Sequence, residues 1–406
     1  MTHGRDGGEV TAAPPGLGEL FVTFLVIGAS AVGMGVMQAI RTVPVQRGWM
    51  TQGDIDEGLG LVQLYPGAIM VDLITYIGYR LRGIRGALVS VVAFVGPSLV
   101  LVLGLSWAFF TYKSHPAVAD LAIGVDALVV GVLVNLAIDF GAEHASGKRT
   151  ALVALGAFAV EVAGQNVLWA VLGALVLGAL ALRPVGSTPG ASSRASQVPN
   201  AVPISWLRVV LALVPGLVVV AGAVVAAASS GALAGVTTAM AKIGAVAFGN
   251  GTAIMPLLQQ SAIENHWLTL RQFGVGVGLG QITPGPFLST AAFVGYGAAG
   301  WWGGIAGGLA IYAPSVAMTM VVAEIYPVFR RLTWVRGAII GVMAAFTGLL
   351  AGLVLVLGRP VVSVPAAVGL AGAAFVAVRV LKWNVLVVFA SGLGVWIIYL
   401  VLGGSV

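Results

Sequence analysis

No cysteine occurs among the 406 residues, which excludes disulfides, thiolate metal sites and thiol nucleophiles. Charge is nearly as scarce. Asp, Glu, Lys and Arg together make up 8%, where a soluble domain carries about 25%, so an ordinary water-facing surface cannot be built. The four histidines, His3, His115, His144 and His266, all fall in predicted loops or tails and form no ligand cluster, so no metal site is expected. A glycine-rich phosphate loop is absent too, which argues against nucleotide-driven work by this chain. The apolar stretches hold no His–Glu or Ser–His set for an intramembrane enzyme, and no sizeable soluble domain exists for a scaffold. No cofactor is expected.

What is present is apolar. Hydrophobic residues account for 59% and the mean hydropathy is +1.03, so nearly the whole chain is predicted to lie in a bilayer. A spanning helix needs about 20 apolar residues. Thirteen candidate spans follow: 18–40, 58–79, 86–111, 118–139, 150–163, 166–182, 206–228, 235–260, 274–297, 301–323, 334–357, 360–378 and 383–403. Residues 1–17 read as a cytoplasmic tail, 18–182 as a first transmembrane repeat and 183–205 as a flexible cytoplasmic linker rich in Pro, Ser and Gly. Residues 206–234 read as an extra reversing helix with an outer loop, and 235–403 as a second repeat. With the N-terminus inside, fifteen of the 20 Lys and Arg fall in cytoplasmic segments, while Arg41, Arg47, Lys113 and Arg359 fall outside. That asymmetry is the positive-inside pattern of a multi-pass plasma-membrane protein.

The chain contains itself twice. Ile27-Gly28-Ala29 recurs as Ile243-Gly244-Ala245, Trp49 and Thr51 as Trp267 and Thr269, Gln63 as Gln281, and Pro66-Gly67 as Pro284-Gly285. Gly78-Tyr79, Gly83, Gly86 and Pro97-Ser98 recur as Gly295-Tyr296, Gly300, Gly303 and Pro314-Ser315. An odd number of crossings separates the copies, which predicts inverted topology. The basic stretch 80–85 against its uncharged counterpart 297–302 agrees with opposite sidedness. A duplicated unit with helix breakers at matching positions points to a secondary transporter with its site between the halves.

The breakers come in two pairs: Gly33-Met34-Gly35 with Gly249-Asn250-Gly251, and Tyr65-Pro66-Gly67 with Thr283-Pro284-Gly285-Pro286. Proline cannot donate into a helix, and hydrocarbon cannot satisfy the backbone groups a break frees, so such segments line a cavity or face protein. A half-helix starting at a break aims its positive end at an anion. Gln63 and Gln281 stand just before two of the breaks, where their amides could donate to an oxyanion or cap freed carbonyls. Lys242, about two helical turns before Gly249, could add positive charge or snorkel to the surface. Asp72, within the apolar run 68–77 and matched to Thr290, is the leading proton-coupling candidate, with Asp126 second. An isolated intramembrane carboxyl is a functional candidate by default. Glu161 and Glu324 sit near span ends and read as interfacial, and Asn135 as a bond between helices.

These motifs resemble the chromate ion transporter family. Lys242-Ile243-Gly244-Ala245-Val246-Ala247-Phe248-Gly249-Asn250-Gly251 is similar to that family's opening of the second half. Gln281-Ile282-Thr283-Pro284-Gly285-Pro286 and Phe293-Val294-Gly295-Tyr296 follow at the family's spacing. The first copy departs from the pattern: Val32-Gly33-Met34-Gly35 replaces the Phe-Gly-Gly motif, Pro66-Gly67-Ala68 replaces Pro-Gly-Pro, and Val26 stands at the Lys position. The resemblance implies ion-coupled movement of chromate and of sulfate-type anions.

The expectation is thus an all-α polytopic bundle of two inverted repeats with broken helices. Its expected substrate-binding residues are Lys242, Phe248, Gly249, Asn250, Gly251, Gln281, Thr283, Pro284, Gly285, Pro286, Gly33, Gly35, Gln63, Pro66 and Gly67. The expected partners are an inorganic oxyanion, a coupling proton and the lipid bilayer, with no nucleic acid; a homodimer is left open. A cation-coupled carrier of another small anion or organic acid is the alternative.

Overall fold

The computed structural model describes residues 13–30, 34–182, 231–247, 251–329 and 333–404. The regular elements among them are all helical. In the first copy they are α1 (Leu17–Ser30), α2 (Met34–Gln46), α3 (Gln52–Val62), α4 (Ile69–Tyr112), α5 (Pro116–His144), α6 (Lys148–Val162) and α7 (Val167–Ala181). In the second they are α8 (Ala232–Ala245), α9 (Met255–Glu264), α10 (Leu270–Ile282), α11 (Thr290–Ala310), α12 (Ala313–Phe329), α13 (Thr333–Val362), α14 (Pro365–Arg379) and α15 (Val385–Val401). Among the described residues, four helical stretches are long and apolar enough to cross a membrane, and five shorter apolar helices accompany them. The linker 183–205, the predicted helix 206–228, Gly33, Phe248, Gly249 and Asn250 lie outside the described residues.

The duplication extends beyond the residues that reveal it in the sequence. Pro116–His144 is matched by Thr333–Val362, Lys148–Val162 by Pro365–Arg379, and Val167–Ala181 by Val385–Val401, at a nearly constant offset. Local chemistry repeats as well. Thr51 starts α3 with a capping box to Asp54, and Thr269 starts α10 with one to Gln272; each satisfies backbone donors that a helix start leaves free. Arg82-Gly83 interrupts α4 at φ/ψ of −142/23 and 60/−152, and Ala299-Gly300 interrupts α11 at −147/30 and 61/−148. The second residue of each pair occupies a region essentially restricted to glycine. At these turns the chain doubles back. A side chain on Gly78 would strike Gly86 and Ser90, and one on Gly295 would strike Gly303 and Gly304. In a straight helix, residues 78 and 90 would stand about 18 Å apart.

Four stretches expected to be single spans are instead pairs of helices lying side by side. Gly58 packs on the Tyr76 ring and Gly276 on the Phe293 ring, contacts that a helix continuing straight across the break would hold about 25 Å apart. Residues 58–79 and 274–297 therefore form hairpins whose tips are the Pro-Gly segments. Arg47 at the end of α2 reaches Glu19 at the start of α1 (3.5 Å), and Gly235 near the start of α8 lies against Trp267 beyond α9. The stretches 18–40 and 235–260 thus return to the side they entered. The physical reason is the breaker itself, which frees backbone torsions to reverse direction rather than merely to bend.

Beyond the turns run two long legs, 84–112 and 301–329, followed by α5 and α13. The terminal helix pair of each copy packs on the long helix of the other. Gly348 of α13 meets the Ala154 carbonyl of α6, and Gly337 and Gly341 meet Gly178 of α7. In return, Gly131 of α5 meets the Ala371 carbonyl of α14, and Trp396 of α15 covers Gly124 and donates to the Asp120 carbonyl at 2.9 Å. Small residues let these backbones approach, the usual basis of helix association in lipid.

Candidate functional site

The hairpin tips form the candidate site. In the first copy α3 ends at Val62 and α4 begins at Ile69, leaving residues 63–68 outside the helices. The tip is held by a residue of the other copy. Ser315, at the start of α12, donates its hydroxyl to Asp72 Oδ1 and accepts from the Ala68 amide (3.4 Å). Asp72 is fully buried, and its second oxygen has no hydrogen-bond partner among the described residues. Gly67 is required here, because any side chain would run into the Asp72 carboxylate and the Ser315 hydroxyl. Thr319, one turn beyond Ser315, donates to the Ser315 carbonyl (2.9 Å) and pairs with the Tyr65 hydroxyl (2.6 Å).

The second copy repeats the arrangement with different chemistry. Its tip runs through Thr283, Pro284, Gly285 and Pro286, with Gly285 at φ +109. Gly285 lies against Ser98 of the first copy, and Ser98 donates to the Ser289 hydroxyl (2.8 Å), which in turn donates to the Pro286 carbonyl (2.7 Å). Ser98 and Ser315 are counterparts, so the structural counterpart of Asp72 is Ser289. The expected match to Thr290 is corrected by one residue, because the second copy has one position fewer between its Pro-Gly pair and Gly295 than the first has between Gly67 and Gly78. Thr290 instead turns its hydroxyl to the Phe287 carbonyl (3.0 Å) beside Gly280.

The other expected site residues divide. Gln281 and Thr283 are buried; Thr283 caps its helix through the Gly280 carbonyl (3.3 Å), while neither polar atom of the Gln281 amide finds a partner among the described residues. Gln63, its counterpart, is exposed at the end of α3. Gly251 is buried at φ +83 against Leu288, so the second copy's two breaks meet, whereas Gly35 is exposed with open space around it. Lys242 is exposed and opens on a separate cleft of about 520 Å³ with Asn166, Gln260, Glu264 and Asn265; no residue of the Pro-Gly tips lines it. Asp126 lies on α5 over the backbone of Gly274 and near Arg271, away from the Asp72 cluster. Glu161, expected at an interface, is buried against Gly352.

Sequence reasoning did not single out Ser98, Ser289, Ser315, Thr319 and Tyr65, which the structure gathers at the tips, as candidate site residues. The available signal was the Pro-Ser pair repeated inside two long apolar runs. Each serine falls at the midpoint of its 29-residue leg, 84–112 or 301–329.

Long apolar helices, a duplicated unit and a glycine-packed core define a multi-pass helical membrane protein. The model of the family described as Chromate transporter matches residues 18–179 and 234–397, one segment per copy, and the chain belongs to that family. It is therefore a transporter-family protein and not an enzyme. Relatives include the chromate transport protein of Cupriavidus metallidurans, 31% identical over 89% of this chain and 88% of its own length. The probable chromate transport protein of Synechococcus elongatus is 28% identical over 84% of this chain and 85% of its own. The chromate transport protein of Pseudomonas aeruginosa is 27% identical over 96% and 94%. No solved structure matches.

Proposed function

We propose that the protein is a secondary transporter of an inorganic oxyanion, chromate moved outward or sulfate, working by alternating access between two inverted copies and coupled to protons through Asp72. The observation that carries this reading is the crosswise latching of the two tips: each Pro-Gly segment rests on the midpoint serine of the other copy's long leg. Backbone freed at those tips packs against the other copy's leg, the setting in which broken helices hold ions. Opposite direction of the copies is supported by Phe110, at the far end of one leg, stacking on Tyr296 beside the other copy's turn (5.5 Å). Tyr79 donates likewise to Glu324 (2.8 Å).

In this reading the described residues make eight full crossings and four re-entrant hairpins, and the stretch 206–228, outside them, keeps its expected place as a ninth crossing. The basic side gains Arg41 and Arg47 and loses Arg271, so fifteen becomes sixteen; the other side holds Lys113, Arg271 and Arg359. The positive-inside asymmetry sharpens, which favours a cytoplasmic N-terminus in the plasma membrane. The test is uptake of labelled sulfate, with chromate competing, into reconstituted vesicles at two imposed pH gradients. No anion flux under either gradient overturns the proposal.

One observation favours the second reading, a cation-coupled carrier of another small anion or organic acid. The tips hold a carboxyl, while Lys242 opens on the lateral cleft. Organic-acid flux that chromate and sulfate do not inhibit would select it.

A further inference from the structure

The two seams where a hairpin leg meets the opposite copy's long helix are equivalent by duplication and opposite in chemistry. Along the first, at residues 65–81 and α12, stand Asp72 with Ser315 and Tyr65 with Thr319, two buried pairs joined where Thr319 faces Asp72, and then Tyr79 donating to the half-buried Glu324. Along the second, the counterparts of Asp72, Thr319 and Glu324 are Ser289, Val102 and Trp107. Ser106 there uses its hydroxyl on the Val102 carbonyl (2.6 Å). The rest of the second seam is aromatic: Phe109, Phe110 and Phe293 lie within 5.6 Å of one another, with Tyr296 stacked on Phe110.

We propose that the first seam is a one-sided proton path, with Glu324 and Tyr79 as its mouth, Tyr65, Thr319 and Ser315 as its inner hydroxyls, and Asp72 as its terminus. The second seam is sealed. This inference rests on the proton-coupled reading above and adds the route and the side on which it opens. A proton taken up by the Glu324 carboxylate passes inward through bridging water to the Tyr65–Thr319 pair, and from Thr319 to Asp72, each hydroxyl accepting one proton as it releases another; Ser315 holds the receiving carboxyl, and the reverse sequence empties it. Thr319 and Glu324 are separated by five residues, about 7.5 Å of helix rise, an interval that bridging waters can span.

The charged groups around the path leave it to these carboxyls. On the elements packed against α4, Glu19 pairs with Arg47, Asp56 with Arg41, and Asp54 with Thr51, while Glu57 is exposed. Of the arginines at the turn, Arg80 lies over the Tyr76 ring, Arg82 is held by the Pro14 and Pro15 carbonyls, and Arg85 carries no ion pair among the described residues. α11 carries no charged residue, and Glu324 is the one on α12.

The test uses full-length protein in vesicles holding a pH-sensitive dye, with anion-driven proton movement and anion-for-anion exchange read in parallel. Glu324→Gln and Thr319→Val are expected to slow proton movement by about tenfold or more, within the range of lost acid–base groups, while exchange persists in Glu324→Gln, outside the tips, and so reports a folded carrier. Thr319→Ser should restore proton movement. Val102→Thr, on the sealed seam, should change nothing. Native proton movement in both Glu324→Gln and Thr319→Val overturns the path alone. Anion flux without proton movement in the unaltered protein overturns proton coupling and the path together, and leaves anion transport standing.

Discussion

The crosswise latches predict an asymmetry in stability that the duplicated sequence alone would not. Ser315→Ala removes the hydroxyl that serves both the buried Asp72 carboxyl and the Ala68 amide. Asp72 already has one oxygen without a partner among the described residues, so the loss leaves a buried polar group unsatisfied, at a cost of about 1–3 kcal/mol. Ser98→Ala removes an equivalent hydroxyl, but Ser289 keeps its bond to the Pro286 carbonyl (2.7 Å). The expected cost there is that of one ordinary bond, about 0.5–1.5 kcal/mol. The first substitution therefore costs about 1 kcal/mol more than the second, roughly fivefold in the unfolding equilibrium, since about 1.4 kcal/mol is a factor of ten. The measurement is denaturant unfolding of the detergent-solubilised protein for both variants, repeated in an Asp72→Leu background. Removing the carboxyl removes the reason for the larger penalty, so the cost of Ser315→Ala should fall to that of Ser98→Ala. Coupling between touching residues is what such cycles isolate. Equal costs in the native background, or a Ser315→Ala cost unchanged by Asp72→Leu, would refute the latch.

Three further outcomes follow from the fold. Gly300→Ala places a Cβ at φ 61, ψ −148, and should destabilise by about 1–3 kcal/mol, seen as a lower midpoint in the same unfolding assay; a neutral result would mean the turn is not rigid. Gly348→Leu drives a side chain into the Ala154 carbonyl, and overpacking of about 1–3 kcal/mol should lower the midpoint in the same unfolding assay; an unchanged midpoint would mean that α6 does not pack on α13. Because the chain lacks cysteine, Glu19→Cys and Arg47→Cys can be labelled singly. Both should react with an impermeant maleimide from the same side, and reaction from opposite sides would restore 18–40 as one crossing.

The repeat, the helical class and the Pro-Gly interruptions were legible because glycine and proline act locally, through torsions that each residue carries with it. Direction after a break is not local. Twenty apolar residues read alike whether they cross a bilayer or turn back within it, so 58–79 and 274–297 looked like spans until Gly58 met Tyr76 and Gly276 met Phe293. The one-residue error at Asp72 has a similar origin: the length difference between copies falls inside the tip, where no regular pattern fixes the register. Ser98 and Ser315 were visible as repeated residues, but their role depends on which copy they touch, and no pattern along one chain reports that. Lys242 drew attention as an ionisable group in an apolar run, and its exposure on the lateral cleft depends on α9 lying beside α8.

The exchanged terminal hairpins carry a consequence for biogenesis. α6 and α7 pack on α13, and α5 packs on α14 and α15, the helices of the second copy being made after those they complete. A first half released alone would present bare glycine-lined furrows to lipid, while two halves made as separate polypeptides would each complete the other. Maturation of this protein is thus a handshake between halves, concluded only when α15 arrives.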